Sequence, residues 1–428
     1  MIGKESSAGL EHYSTASEGI GGSIKRRISD FKVCEINPAG KACTIEAFAE
    51  EGEKKEIRKK WPKEPEGLPR GEGEQLILTM EKFNLDVNDA IRRIARFLQT
   101  SKKRVGYAGM KDKRAITAQR ITLWKPDYER VKSFDSRYID LRDAEWGNDK
   151  MRLGDLQGNE FEITIREIGL EKKEVEKRVK ECFKQMKNGI ANYFGEQRFG
   201  GIRMVTHIVG REFVRGNMED GIMIYLTATV PGEEEDVKKA RIALGKTRDF
   251  SQASKDFPVK YRYERAIIHH LCKYPNDFVG AFRKLPRALC YLFTHAYQSY
   301  LFNLIINKRI ESGIGLGKIN EDVLIDGLPT APLFGFESKF AEGRIGKIER
   351  MVLEEEGITL AQFKVKEMPE ISSKGARKNI ALYPEKMKLH GVADDEFNTG
   401  KLKAVISFRL TKGNYATTVL RELMKNEA

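Results

Sequence analysis

Cysteine and histidine are scarce in this chain of 428 residues, which has five Cys and six His. The cysteines (Cys34, Cys43, Cys182, Cys272 and Cys290) are odd in number, scattered and never spaced as C-x-x-C, which argues against a disulfide framework or a zinc site. His207, His269, His270 and His295 add no ligand spacing, and the adjacent pair would point apart on a helix, so no metal is expected. Long apolar runs are missing too. Leu301–Ile306 is far too short to cross a bilayer, and the N-terminus lacks the apolar core of a signal peptide. The expectation is a soluble, cytoplasmic protein with no membrane association and no obligatory protein partner. Neither a dinucleotide-binding fingerprint nor a phosphate-binding G-x-x-x-x-G-K-[ST] loop occurs.

What the chain does have is charge and length. Seventy-six Lys and Arg against 63 Asp and Glu give a net charge of +13, which favours a polyanionic partner through long-range attraction and counterion release. Nucleic acid is the leading candidate and an anionic membrane the second. With 40% hydrophobic residues the chain can bury real cores, and its length suits two or three domains.

Residues 1–22 are rich in Ser and Gly and read as a flexible lead. Strands are expected at Ile28–Ile36, Gln75–Met80, Arg104–Ala108, Arg120–Trp124 and Glu160–Arg166. Glu50–Gly73 reads as a charged loop. Val87, Ala90, Ile91, Ile94, Ala95 and Leu98 have helical spacing, with Asp86 placed to cap the start. A further helix is expected over Lys172–Lys187. Beyond Gly201 helices dominate, at Glu235–Leu244 and Leu285–Arg309, and the end of the chain returns to a strand (Lys403–Leu410), a turn and a helix (Tyr415–Met424). This pattern suggests a discontinuous α+β domain at 23–190 and 376–428 that carries an inserted, helical-rich domain at 191–375.

The segment Gly106-Tyr107-Ala108-Gly109-Met110-Lys111-Asp112-Lys113-Arg114-Ala115-Ile116-Thr117 is a strand running into a glycine-hinged turn. An Asp between two lysines with an Arg next to it sits in positive potential, which favours its charged form and attracts a phosphate backbone to the same place. Such a carboxylate can act as nucleophile or base. The plainer alternative for an isolated K-D-K is a solvated surface turn. This segment resembles the signature around the catalytic aspartate of TruD-type pseudouridine synthases, with Asp112 at the matching position.

Other segments carry the resemblance along the chain in family order. Asp30-Phe31-Lys32-Val33-Cys34-Glu35 is similar to the D-F-x-V-x-E strand, which implies a substrate-contacting Phe31 and a basic Lys25 upstream. Leu153-Gly154-Asp155-Leu156-Gln157-Gly158-Asn159-Glu160-Phe161 resembles L-G-x-L-x-G-N-x-F, implying that Asn159 and Phe161 bind the target base; an amide and an aromatic suit a flipped uracil. Asn192–Gly200 matches N-Y-F-G-x-Q-R-F-G and suggests bracing, with Arg198 near phosphate. Ala296–Asn303 resembles the A-x-x-S-x-L-F-N helix of the inserted TRUD domain and reads as core. Phe408–Leu423 resembles the closing strand, turn and helix, with Tyr415 where other members can have a substrate-contacting Phe. Arg377 and Lys378 precede an L-Y-P stretch and, with Lys111, Lys113 and Arg114, are candidate RNA backbone contacts.

The resemblance implies a pseudouridine synthase core, a mixed and largely antiparallel sheet with flanking helices, that carries the inserted TRUD domain. It implies that the chain isomerises a uridine of tRNA, commonly at position 13, without a cofactor, and that a basic cleft receives the RNA. Asp112 either attacks ribose C1' or removes the C2' proton, and Lys25 either pairs with Asp112 or contacts phosphate. Two other readings remain: a noncatalytic RNA-binding or RNA-remodelling protein on the same fold, and an unrelated basic nuclease, which would ordinarily need clustered acidic metal ligands.

Overall fold

The computed structural model describes residues 8–48, 53–57, 59–64, 72–201 and 203–426. Parts of the expected charged loop at Glu50–Gly73 lie outside these residues. The described chain forms two compact units, a sheet unit of residues 15–189 and 383–426 and a helical unit of residues 8–14 and 190–382.

The sheet unit opens with β1 (Phe31–Ile36), β2 (Gln75–Phe83), α1 (Val87–Phe97), β3 (Val105–Tyr107), β4 (Ile116–Trp124), α2 (Tyr128–Lys132), β5 (Ile139–Gly147), β6 (Gly158–Ile168) and α3 (Lys172–Met186). The chain then builds the helical unit from β7 (Ile190–Ala191), α4 (Thr206–Arg215), α5 (Met218–Thr227), α6 (Glu235–Thr247), α7 (Phe250–Asp256), α8 (Arg262–Lys273), α9 (Phe278–Phe282), α10 (Arg287–Glu311), β8 (Leu324–Ile325), β9 (Leu328–Leu333), α11 (Gly343–Glu355), β10 (Ala376–Asn379) and β11 (Ala381–Leu382). It returns to the sheet unit with β12 (Glu385–Asp394), β13 (Leu402–Thr411) and α12 (Ala416–Met424). The helical unit runs past the expected end at 375 because β10 pairs with β9 and β11 with β7.

Eight strands form one sheet in the order β12-β13-β6-β1-β4-β2-β5, with β3 on β4. Every pairing is antiparallel except β1 with β4, so the sheet is mixed and the class is α+β. On β2 the alternation Leu76, Leu78, Met80 faces Val87, Ala90, Ile91 and Ile94 of α1 in one core, together with Ile121 and Leu123 of β4. Asp86 caps α1 by accepting from the Asn88 amide at 2.8 Å, and burying each large aliphatic side chain of the stripe contributes about 1.5–3 kcal/mol.

In the helical unit α10 is buried almost all round. Its Asn303 donates to the carbonyls of Ala8 (2.9 Å) and Phe194 (3.0 Å) and accepts from the Phe194 amide, while Asn307 donates to Gly9 and accepts from Tyr193. The N-Y-F segment and the helix therefore form one core, with Tyr193, Phe194 and Phe199 packed against Leu301 and Phe302.

Residues 8–22 correct the expectation of a flexible lead. Ala8 and Leu10 are in the helical core, and the Ile20 and Gly21 amides donate to the carbonyls of Leu423 and Met424 at 3.0 and 2.9 Å. The glycines serve close approach: a Cβ on Gly19 would lie 2.3 Å from the Met424 oxygen, and one on Gly22, at φ +93°, 2.5 Å from the Arg166 oxygen.

Candidate active site

Asp112 sits in the turn between β3 and β4. Its carboxylate Oδ1 accepts from Lys25 Nζ at 3.0 Å, and the ammonium also lies 4.1 Å from the centre of the Phe31 ring. Lys25 adopts φ +57°, an uncommon backbone state for a residue with a side chain. Arg114 holds that segment by donating to the carbonyls of Lys25 (2.9 Å) and Arg26 (3.0 Å).

The turn itself is held from below. Lys111 Nζ pairs with Glu35 Oε2 at 2.6 Å, with both side chains all but closed to solvent, and the other Glu35 oxygen accepts from the Arg120 amide at 3.1 Å. Gln119 donates to the Gly109 carbonyl at 3.1 Å, and Lys82 Nζ donates to the main-chain carbonyl of Asp112 at 2.7 Å. Burial pulls the Lys82 ammonium down to about 8, with Asp112 and Asp86 opposing that shift and Lys111 adding to it.

Strand register explains why these groups meet. Lys82 pairs with Thr117, Thr117 with Val33, Val33 with Phe161, and Phe161 with Phe408. Glu35 pairs with Asn159, and Asn159 with Leu410. Paired residues share a face of the sheet, and alternation sends their chain neighbours to the other one. A row from Lys82 to Phe408 and a second through Gln119, Glu35 and Asn159 therefore lie on one face, beneath the Asp112 turn. A cavity of about 520 Å³ lined by Thr79, Arg120 and Glu145 is on the opposite face and takes no part.

The structure thus brings Asp112, Lys25, Phe31, Asn159 and Phe161 to one surface of the sheet unit. Phe31 and Phe161 are buried; their rings meet edge to face at 6.2 Å, and Phe161 stacks on Phe408 at 5.3 Å. One face of Phe161 is therefore taken by Phe408, and its contact with Phe31 is edge to face. Asn159 Oδ1 is buried without a hydrogen-bond partner. Tyr415, at the start of α12, is 48% exposed. Its turn lies near the site because the Lys412 amide donates to the Gln157 carbonyl, while the Gly154 amide donates to Ala108.

The candidate backbone contacts divide. Lys113 and Arg114 are exposed beside Asp112. Lys111 is corrected from a phosphate contact to an internal tether, since its ammonium is enclosed with Glu35. Arg377 and Lys378 are corrected as well. In the helical unit the Arg377 guanidinium donates to Thr330 and the buried Glu349, and Lys378 Nζ is enclosed between the Phe194 and Phe302 rings at 5.2 and 5.5 Å. Burial alone brings the Lys378 ammonium down to about 7. Arg198 donates to Ser299 at 3.0 Å and lies over Phe194.

Sequence reasoning missed Lys82. The available signal was the alternation Leu76, Leu78, Met80, in which the fourth inward position is a lysine.

A mixed, mainly antiparallel sheet bearing a lysine-paired aspartate in the β3–β4 connection above buried aromatics defines an α+β fold with a candidate acid–base or nucleophilic site, and the comparisons give the family. The family model for tRNA pseudouridine synthase D (TruD) matches residues 7–327 and 324–423, and the chain belongs to that family. It is 37% identical to a protein of Methanococcoides burtonii named a probable tRNA pseudouridine synthase D, over 99% of this chain and 97% of that one. A protein of the same name from Thermococcus sibiricus is 33% identical over 97% of each chain. A crystal structure of a Methanosarcina mazei protein, named for tRNA pseudouridine synthase D (TruD), superposes with a TM-score of 0.80 at 35% identity, covering 99% of this chain and 98% of that one. Among the described residues, no helix is long and apolar enough to cross a membrane.

Proposed function

We propose that the chain is a tRNA pseudouridine synthase that isomerises one uridine, at position 13, with Asp112 as the catalytic carboxylate. The observation that carries this reading is the 3.0 Å pair between Lys25 and Asp112 at the edge of the aromatic and amide strip, in a chain of the TruD family. The reaction breaks the bond between uracil N1 and ribose C1', turns the base and joins C1' to C5, which gives up its proton while N1 ends with one in its place. Substrate and product have the same composition.

Lys25 engages Oδ1 of Asp112, so Oδ2 is the oxygen offered to the ribose, either as nucleophile at C1' or as base at C2'. Both routes need the uridine out of its stack and the detached base retained. Asn159 Oδ1, buried and without an acceptor's usual partner, suits the N3–H of uracil. Phe31 and Phe161 would bound the base by their edges. Lys113 and Arg114, exposed beside the turn, suit the RNA backbone.

The test is site-resolved pseudouridine mapping on tRNA transcripts incubated with wild-type protein and with Asp112→Ala. A single new pseudouridine at position 13, absent with the variant, is the expected result. Modification by both proteins would remove Asp112 from its role, and modification elsewhere would change the substrate assignment.

A further inference from the structure

The inward row of β2 reads Leu76, Leu78, Met80, Lys82, and the first three complete the core under α1. A fourth apolar residue would extend that core. Instead an ammonium stands there with no solvent exposure, which costs several kcal/mol unless something in place compensates. The acceptor it meets is the carbonyl of Asp112, at 2.7 Å. The charged groups that face it are Asp112 on the turn above, Asp86 at the cap of α1, and Lys111 beside the turn. Across the strand its neighbours are uncharged: Thr117 on β4, whose buried hydroxyl has no hydrogen-bond partner, and Ile139 on β5.

This arrangement is poor for stability alone, because a methionine would bury as well without desolvating a charge. It does suit the turn. From the geometry we infer that Lys82 is a positioning residue for Asp112, pinning the main chain of the catalytic turn from beneath and placing a second positive charge under the carboxylate that Lys25 aims from the side. The inference rests on the pseudouridine synthase reading. Lys82 acts through Asp112 and does not touch the RNA, so it governs the chemical step and leaves tRNA binding alone. Its proton is also held weakly, at about 8. As that proton leaves, the neutral amine can still donate to the carbonyl, so the tether outlasts the charge and the rate should fall with rising pH without the fold changing.

The experiment is single-turnover pseudouridine formation on tRNA, from pH 6.5 to 9.5, for wild type, Lys82→Met and Lys82→Arg, with tRNA affinity and melting temperature measured in parallel. For Lys82→Met at pH 7 a rate loss of about tenfold or more is expected, with affinity close to wild type. The wild-type rate should fall through a midpoint near pH 8 toward that of Lys82→Met, whose own profile should be flatter over the same range. Lys82→Arg, which keeps its charge, should lack the fall near pH 8. A Lys82→Met variant at full rate, a loss confined to affinity, or identical pH profiles for wild type and variant would overturn the inference while leaving the synthase reading intact. If the variants do not fold, the wild-type profile decides, and a flat one overturns it. No pseudouridine from wild type on any tRNA would sink both.

Discussion

The buried pair of Lys111 and Glu35 offers the sharpest quantitative test of how the Asp112 turn is built. The two groups lie 2.6 Å apart with side chains 2% and 1% exposed, and the remaining Glu35 oxygen is held by the Arg120 amide. Removing one partner strands a buried charge, so Lys111→Met and Glu35→Gln should each cost about 3–5 kcal/mol. The double variant strands none, and Gln at 35 still accepts from Arg120, so it should lose only about 1–2 kcal/mol and be more stable than either single variant. Urea unfolding followed by tryptophan fluorescence measures this in the right place, since all three tryptophans, Trp61, Trp124 and Trp146, belong to the sheet unit. Additive losses in the double variant, or single losses under about 1 kcal/mol, would refute the buried-pair account. Activity should follow the other order. The double variant is stable, but its turn is no longer tied to β1, so its single-turnover rate should stay about 100-fold below wild type.

Asp112→Asn should abolish pseudouridine formation while tRNA affinity, measured by filter binding, changes little. Lys25→Met should lower the rate at saturating tRNA; an unchanged rate would remove Lys25 from its aiming role. Burial pushes the Asp395 carboxyl up, but hydrogen bonds from Asn398, the Glu167 and Phe397 amides and Arg166 outweigh it and bring it down to about 2. A folded value below the unfolded one gives stability that is present above pH about 4 and lost as pH falls toward 2, so Asp395→Asn should flatten the acid limb of a stability profile by about 2 kcal/mol. Lys82 has the same sign in a higher pH range and for a different reason, because burial penalises its charged form. Its folded value of about 8 lies below the ordinary 10.5, so the folded protein binds fewer protons between these pH values, and wild type should gain about 3 kcal/mol relative to Lys82→Met from pH 8 to 10.5.

Much of the fold was legible because local patterns and tertiary packing agree. The α1 stripe with its Asp86 cap, the long apolar α10 and the strand at Lys403–Leu410 all appear within a few residues of where periodicity puts them. In the eight-stranded sheet β5 and β12 were not anticipated, and neither were β7 to β11 of the helical unit. On β12, Lys386, Lys388 and His390 are charged or polar and Glu385–Asp394 is largely exposed, as suits an edge strand, so hydrophobic alternation gives no cue. The opposite error came at residues 8–22, where small residues that permit close packing read as signs of freedom.

For the site, sequence motifs supplied the identities and register supplied the arrangement. Asp112 stands in one motif and Asn159 with Phe161 in another, and nothing local to either says that β1 lies between β4 and β6, the pairing that brings them together. Charge at single positions misled in a consistent way. Lys111, Arg377 and Lys378 look alike on paper with the exposed Lys113, but they are enclosed by Glu35, by Thr330 and Glu349, and by two aromatic rings. A lysine in a basic protein reads as a phosphate contact only until its neighbours are known. In this chain the lysines nearest Asp112 divide by depth: Lys113 at the surface suits RNA, while Lys25, Lys82 and Lys111 fix the carboxylate, its carbonyl and its turn. The net charge of +13 therefore overstates the positive surface, because ammonium groups such as those of Lys82, Lys111 and Lys378 are enclosed within the units.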